Sequence, residues 1–247
     1  MEGTDLLLRN LVTGEEKIFP FISEYYFSKT ANKLLLEATK NSKDSLSKPA
    51  VILVDLLRHR TDTISRGGND FKNFAFSEDG TQLAFLAERD AIPIAIGTKE
   101  LQKFYKLWYY KETMDTALMV AGKNSSGMKI GMTVSEFGTV NFSKSGKRLF
   151  FGTAPVQPPK DTTLIEMDLV KLDIWHYKDD YLQSAQLYRM KQSQEENFLA
   201  VYDLEKKTIE QLGSKEIPTI YPTNERDGEI FVGVTDFGKR KIGRAHV

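Results

Sequence analysis

The chain has 247 residues, and its 34 Lys and Arg balance 34 Asp and Glu, so the formal net charge is zero. Charges alternate in sign along the chain and form no basic stripe for nucleic acid, and no apolar run approaches the roughly 20 residues of a membrane span. There is no cysteine, which excludes disulfides, thiolate catalysis and cysteine zinc sites and leaves the compartment open, cytosol or periplasm.

The N-terminus, Met1-Glu2-Gly3-Thr4-Asp5, is polar and acidic and reads as carrying no signal peptide. Asp5 to Asn10 reads as a strand, Val12-Thr13-Gly14-Glu15-Glu16 as a turn, and Lys17-Ile18-Phe19 as the return. Phe27-Ser28-Lys29-Thr30-Ala31-Asn32-Lys33-Leu34 then reads as strand, tight polar turn and strand. Residues 39–48 are a polar loop, Ala50 to Leu56 a buried strand, and Arg60 to Ile64 its return. Gly67-Gly68 is turn chemistry, because it lacks the spacing and following helix of a phosphate loop. Phe76-Ser77-Glu78-Asp79-Gly80-Thr81-Gln82-Leu83 repeats the polar hairpin. Residues 88–103 are an excursion with a short helix expected from Lys99 to Phe104, and Leu107-Trp108-Tyr109-Tyr110 is an aromatic strand. After a turn-rich stretch, Met132-Thr133-Val134 leads to a third copy, Phe142-Ser143-Lys144-Ser145-Gly146-Lys147-Arg148-Leu149. Residues 155–163 form a proline-rich loop, Leu187 to Glu196 has good helix propensity, and Phe198 to Leu204 with Ile209 to Leu212 makes another outer hairpin. A weaker fourth copy lies at Tyr221 to Val232, around Asp227-Gly228.

The repeated hairpin organises the chain. In each of the three clear copies an aromatic precedes the serine and a leucine lies six residues after it. A serine before the turn hydrogen-bonds the turn backbone, and Asp-Gly or Ser-Gly supplies a positive φ. Ser28 and Ser77 are 49 residues apart, Ser77 and Ser143 are 66 apart. Spacings of about 40–50 residues indicate propeller blades, each a four-stranded antiparallel sheet, and the longer interval implies an insertion. The fold class is therefore all-β, a partial β-propeller of about four blades.

Catalytic chemistry is sparse. No Gly-x-Ser-x-Gly elbow is present, and Asn124-Ser125-Ser126-Gly127 lacks the leading glycine. Of three histidines, His59 reads as a loop residue, and His246 falls in the C-terminal stretch treated next. His176 lies in a dense polar-aromatic block with Asp173, Trp175, Asp179 and Asp180. Asp173, Trp175, His176 and Asp179 are the candidate channel or structural motif. Their single histidine makes a weak metal set, so no catalytic, cofactor or metal residue is assigned. The chain ends Lys241-Ile242-Gly243-Arg244-Ala245-His246-Val247. This is the translation of a common short-read sequencing adapter, so natural sequence is expected to stop near Arg240, leaving 1–240 as the propeller portion.

The Ser hairpins, with Leu172-Asp173-Ile174-Trp175-His176-Tyr177-Lys178-Asp179 and the preceding Phe150-Phe151-Gly152-Thr153-Ala154-Pro155, resemble the N-terminal β-propeller of prolyl oligopeptidase family serine peptidases. Large bacterial dipeptidyl- and acylaminoacyl-peptidases are the most similar. The resemblance covers residues 1–240 and implies a parent protein with an α/β-hydrolase domain carrying Ser, Asp and His; whether that parent is exported to the periplasm is left open. The propeller would cover that site and admit only short peptides, with no cofactor. The hydrolase domain is absent from this sequence, so no catalytic position carries over. A closed ring in the family has about seven or eight blades. Two other readings remain: a stand-alone TolB-like propeller acting as a protein-interaction scaffold, and an enzyme with its site inside the propeller, which would need paired carboxylates on channel-facing strands.

Overall fold

The structure, a computed structural model, describes residues 2–90, 92–93, 101–157, 179 and 181–236. The Ser hairpins set its local geometry. In each, the serine N–H donates to the carbonyl five residues on and the serine hydroxyl accepts the N–H of that same residue. Ser28 pairs in this way with Lys33, Ser77 with Gln82 and Ser143 with Arg148, at 2.9–3.2 Å. Inside the turn, the N–H of Ala31, Gly80 and Gly146 donates to the serine carbonyl. These three residues have φ of 54°, 71° and 70°. The left-handed position therefore falls on Ala31 in the first copy, not on Asn32. The serines are buried, so each lock is sealed from water.

The strands run antiparallel throughout. Strands β1 (Thr4–Arg9), β2 (Glu16–Phe27), β3 (Lys33–Ala38), β4 (Ala50–Asp55) and β5 (Arg60–Arg66) pair in chain order. Strand β2 changes partner half-way: residues 16–19 face β1 and residues 24–27 face β3, with Phe21 at φ 59° between them. β2 thus closes one hairpin with its first half and opens a four-stranded blade with its second. β6 (Asp70–Phe76) and β7 (Gln82–Glu88) follow, then a short ladder of β8 (Ile92–Pro93) with β9 (Leu101–Gln102), then β10 (Tyr105–Lys111) and β11 (Leu118–Ala121). β6, β7, β10 and β11 make the second blade. The helix expected at Lys99 to Phe104 is not found at its described residues, because Leu101 and Gln102 are drawn into that ladder.

The third blade has an inner strand in two pieces, β12 (Met132–Val134) and β13 (Asn141–Phe142), beside β14 (Arg148–Pro155), β15 (Phe198–Asp203) and β16 (Thr208–Gln211). One pair, Tyr105 with Val134, ties it to the second blade. Helix α1 (Gln183–Gln194) precedes β15 and buries no side chain. Last come β17 (Thr219–Pro222) and β18 (Phe231–Val234), an isolated hairpin. This is the fourth copy, with its turn starting earlier than Asp227-Gly228: Thr223 takes the serine's place, and Arg226, at φ 72°, donates its N–H to the Thr223 carbonyl. The described residues thus hold three whole blades and a half-blade at each end. None of their helices is long and apolar enough to cross a membrane.

Period-two alternation stacks the blades. On β3 and β4, Leu35, Val51 and Leu53 face Leu83, Phe85 and Ala87 of the second blade. From the other side of β7, Ala84 and Leu86, with Leu107 and Tyr109, meet Leu149, Phe151, Ala200 and Tyr202 of the third blade. Leu34, Leu36 and Val54 turn the other way, against Leu6, Leu8 and Phe19 of the β1–β2 hairpin. Every central strand is apolar on both faces because it lies between two sheets.

The outer hairpins share a turn of their own. Asn10, Asp55 and Asp203 each accept, through a side-chain oxygen, the N–H groups two and three residues on. The residue four on has positive φ in every case: Gly14, His59 and Lys207. His59 therefore serves a turn at the rim.

An L-residue in the left-handed region costs roughly 1–2 kcal/mol, and Ala→Gly returns part of that gain as unfolded-state entropy. Ala31→Gly is expected to stabilise the protein by about 0.5–1 kcal/mol, read as a raised midpoint in urea unfolding with an unchanged slope.

Candidate functional site

The inner edge of the stack, where the first strands of the blades lie side by side, carries the polar chemistry. At its turn end the hairpin tips converge. Lys29 of the first hairpin pairs with Glu78 of the second, and Lys144 of the third pairs with Glu225 of the fourth at 2.6 Å. Charge alternates from blade to blade around a groove of ≈ 350 Å³, floored by Ala75, Phe76 and Phe142. The Glu225 carboxylate holds the exposed Lys144 ammonium above its usual range, with a smaller push from Glu78. Asp227 accepts both the N–H and the hydroxyl of Ser145, at 2.8 and 2.6 Å. The fourth hairpin is thus joined to the third by side chains as well as by packing.

At the opposite end the edge is acidic. Glu24 on β2 and Glu37 on β3 are direct cross-strand partners. Burial, then the Glu24 carboxylate, pushes Glu37 up to about 7, with a minor contribution from Asp70 of the next blade. The Tyr26 hydroxyl donates to Glu24, and the Tyr105 hydroxyl to Asp70. Both phenols are held above their usual range, by burial first and by these carboxylates second. Lys72 pairs with Glu136 and sits 5.3 Å from the Tyr105 ring centre. Asn73, at φ 55°, donates to the carbonyls of Glu136 and Gly138 at 3.0 and 2.9 Å, stitching the second blade to the bend between β12 and β13. A carboxyl raised toward neutrality directly opposite a second carboxyl is an arrangement that general acid–base chemistry uses. Among the described residues no cluster of His, Cys, Asp and Glu could hold a metal ion.

A third polar group is structural. Lys33, buried at the start of β3, donates to Asp55 at 2.7 Å and also pairs with Glu112 of the second blade. Burial alone would raise Asp55, but the Lys33 ammonium and the N–H groups of Arg58 and Leu57 outweigh it and hold the carboxyl below its usual range. The group locks the first two blades together.

Of the motif singled out from sequence, Asp173, Trp175 and His176 lie outside the described residues, and Asp179 is half-buried just ahead of α1. His246 also lies outside them. Among the described residues no hydrogen bond joins a histidine to a hydroxyl. The sequence reading passed over Glu24, Glu37 and Asp70. The signal for the first two was present: a hairpin that pairs Phe27 with Leu34 must also bring Glu24 opposite Glu37.

No protein-family model matches the sequence, and no curated protein matches it at the level of sequence. Solved structures are similar in fold. One from a study of two prolyl endopeptidases is 11% identical with TM-score 0.46, covering 96% of this chain and 30% of the other. Dipeptidyl peptidase 4 of Porphyromonas gingivalis is 16% identical with TM-score 0.45, over 90% and 31%. TolB of Acinetobacter baumannii is 14% identical with TM-score 0.39, over 86% and 38%. The chain spans well under half of each. At these scores the likeness carries no functional argument, and the blades themselves define the all-β, partial propeller.

Because Glu37 has a folded-state pKa above its unfolded value, the folded chain binds the extra proton between about pH 4.5 and 7, and stability falls as pH rises through that window. Glu37→Gln is expected to flatten this slope. At pH 8 it is expected to stabilise the fold by about 1 kcal/mol, solvent screening at a half-buried site removing the rest. Urea midpoints for both proteins from pH 5 to 8 test this; parallel pH profiles would contradict it.

Proposed function

We propose that this chain is the non-catalytic propeller portion of a serine peptidase of the prolyl oligopeptidase type. In this reading it gates the entry of short peptides to an α/β-hydrolase domain carried elsewhere in the parent protein, where a serine would be acylated by the peptide and then released by water. The observation that carries the reading is the groove at the inner edge. It is polar, lined by alternating Lys and Glu from successive hairpins, and floored by Ala75, Phe76 and Phe142. Such a lining suits a peptide, with charged ends and apolar side chains, better than a uniformly charged polymer. The reading also agrees with the lack of a nucleophile elbow in the sequence.

The experiment is to recover the intact coding sequence across the Lys241 junction, express it, and treat it with a fluorophosphonate serine probe and short chromogenic peptides. Labelling of a downstream Gly-x-Ser-x-Gly serine, absent from residues 1–240 alone, is the expected result. A coding sequence that stops soon after the last blade, or that gives no labelled serine, would leave the TolB-like scaffold in front. The Glu24–Glu37 pair favours one further reading, an acid–base site within the blades. Turnover of an oligosaccharide panel by the chain itself, lost in both Glu24→Gln and Glu37→Gln, would support it, and no turnover would remove it.

A further inference from the structure

The fourth inner turn departs from the other three at one position. In each inner turn the residue three places after the serine, or after Thr223, donates its N–H to that residue's carbonyl and has positive φ: Ala31, Gly80, Gly146 and Arg226. The first three are small, and the packing gives the reason. A Cβ on Gly80 would lie 3.4 Å from the Ser28 Cβ of the first hairpin, and one on Gly146 would lie 2.5 Å from Gln82 Nε2 of the second. The position therefore faces the preceding blade. In the fourth hairpin it carries an arginine, in a conformation that glycine adopts freely and L-residues do not. Asn224 and Glu225 are also left-handed, at φ 49° and 52°, so three such residues follow one another. Strain held in this way is a mark of sites that position a side chain.

The turn is pinned where it stands. The Lys144 N–H donates to the Glu225 carbonyl at 3.2 Å, Asp227 accepts the Ser145 N–H at 2.8 Å, and Arg148 donates to the Gly228 carbonyl at 2.9 Å. Arg226 is half-buried and lines the ≈ 350 Å³ groove with Lys29, Glu78, Lys144 and Glu225. The two lysines are already paired with the two glutamates. The Arg226 guanidinium has no hydrogen-bond or ion-pair partner among the described residues. The groove thus carries one surplus positive charge, on a fixed turn, beside an apolar floor of Ala75, Phe76 and Phe142.

The geometry points to Arg226 as the anchor for one carboxylate of a short peptide, with the neighbouring apolar side chain resting on Phe76 and Phe142. A guanidinium takes a carboxylate through two parallel N–H···O bonds, and one surplus charge matches a single carboxylate. A groove of this size stands at the small end of ligand pockets, which run from about 300 to 1,000 Å³. It therefore takes a peptide end, or one acidic side chain with its neighbour, and not an extended chain. The inference rests on the groove receiving a peptide, as proposed above, and not on a hydrolase domain. All four hairpins that line the groove are described, and the Arg226 position faces back toward the third, so nothing is required of what lies before β1 or after β18.

The test is a titration of the isotope-labelled 247-residue chain with three dipeptides, followed through the amide signals of Asn141 to Lys144 in the groove wall. The dipeptides are acetyl-alanyl-phenylalanine, its C-terminal amide, and acetyl-glutamyl-phenylalanine amide. At least one of the two acids is expected to bind about tenfold or more tighter than the neutral amide. Preference for the first identifies a C-terminal carboxylate as the occupant, and preference for the second an acidic side chain. Arg226→Gly is expected to remove the difference and leave the weak binding of the neutral amide unchanged. Its urea midpoint is expected to stay or rise, because the left-handed strain is relieved. Arg226→Lys keeps the charge without the fork and is expected to keep only part of the difference. Equal binding of all three dipeptides, binding of none, or a preference that survives in Arg226→Gly would each overturn the inference. A carboxylate preference in a chain whose intact form labels no serine keeps this inference and removes the peptidase reading.

Discussion

The reciprocal lock between the turn serine and the residue five places on is the contact on which the rest depends. It satisfies backbone and hydroxyl groups that are otherwise buried, and a buried unpaired group costs roughly 1–3 kcal/mol. It also fixes the phase of both inner strands, because the lock pairs Ser28 with Lys33, Ser77 with Gln82 and Ser143 with Arg148. With the phase fixed, Leu34, Leu83 and Leu149 fall on the same side of their blades, the side toward the preceding sheet. The locks stack directly as well: a Cβ added to Gly80 would lie 3.4 Å from the Ser28 Cβ.

From that phase the stack assembles by simple alternation. Each second strand divides its side chains between two interfaces, and a one-residue slip would exchange them. This is why Leu35 and Leu36, adjacent in sequence, belong to different clusters. Side-chain pairs then tie neighbouring blades at three levels: the buried Lys33–Asp55–Glu112 group, Asn73 on the bend near Gly138, and the tips Lys29–Glu78 and Lys144–Glu225. The tip pairs are exposed and weak one by one. Their alternation gives the groove its mixed polarity.

The inner edge is asymmetric along its length. The turn end is balanced in charge and roomy, and the far end is acidic with its tyrosines tied to carboxylates. The Glu24–Glu37 opposition sits in a place where like charges face each other directly across two strands, an arrangement that costs stability. The pair lies at the end of the seam opposite the groove, where Asp70 of the second blade adds a minor electrostatic push on Glu37.

Much of this was legible in the chain itself. The offset from serine to leucine, the glycines at two of the three turns and the period-two apolar runs determined the hairpins, their inner and outer kinds, and the all-β blade architecture, because turn geometry and strand alternation are local properties. The sequence also held the Glu24–Glu37 pairing, which needs only the hairpin register. What it did not hold was anything set by distance across blades. That Lys33 is buried between Asp55 and Glu112, that Lys29 meets Glu78 and that Lys144 meets Glu225 were decided by the stacking of sheets. Those contacts join residues tens of positions apart, and only packed tertiary structure brings them within a few ångströms.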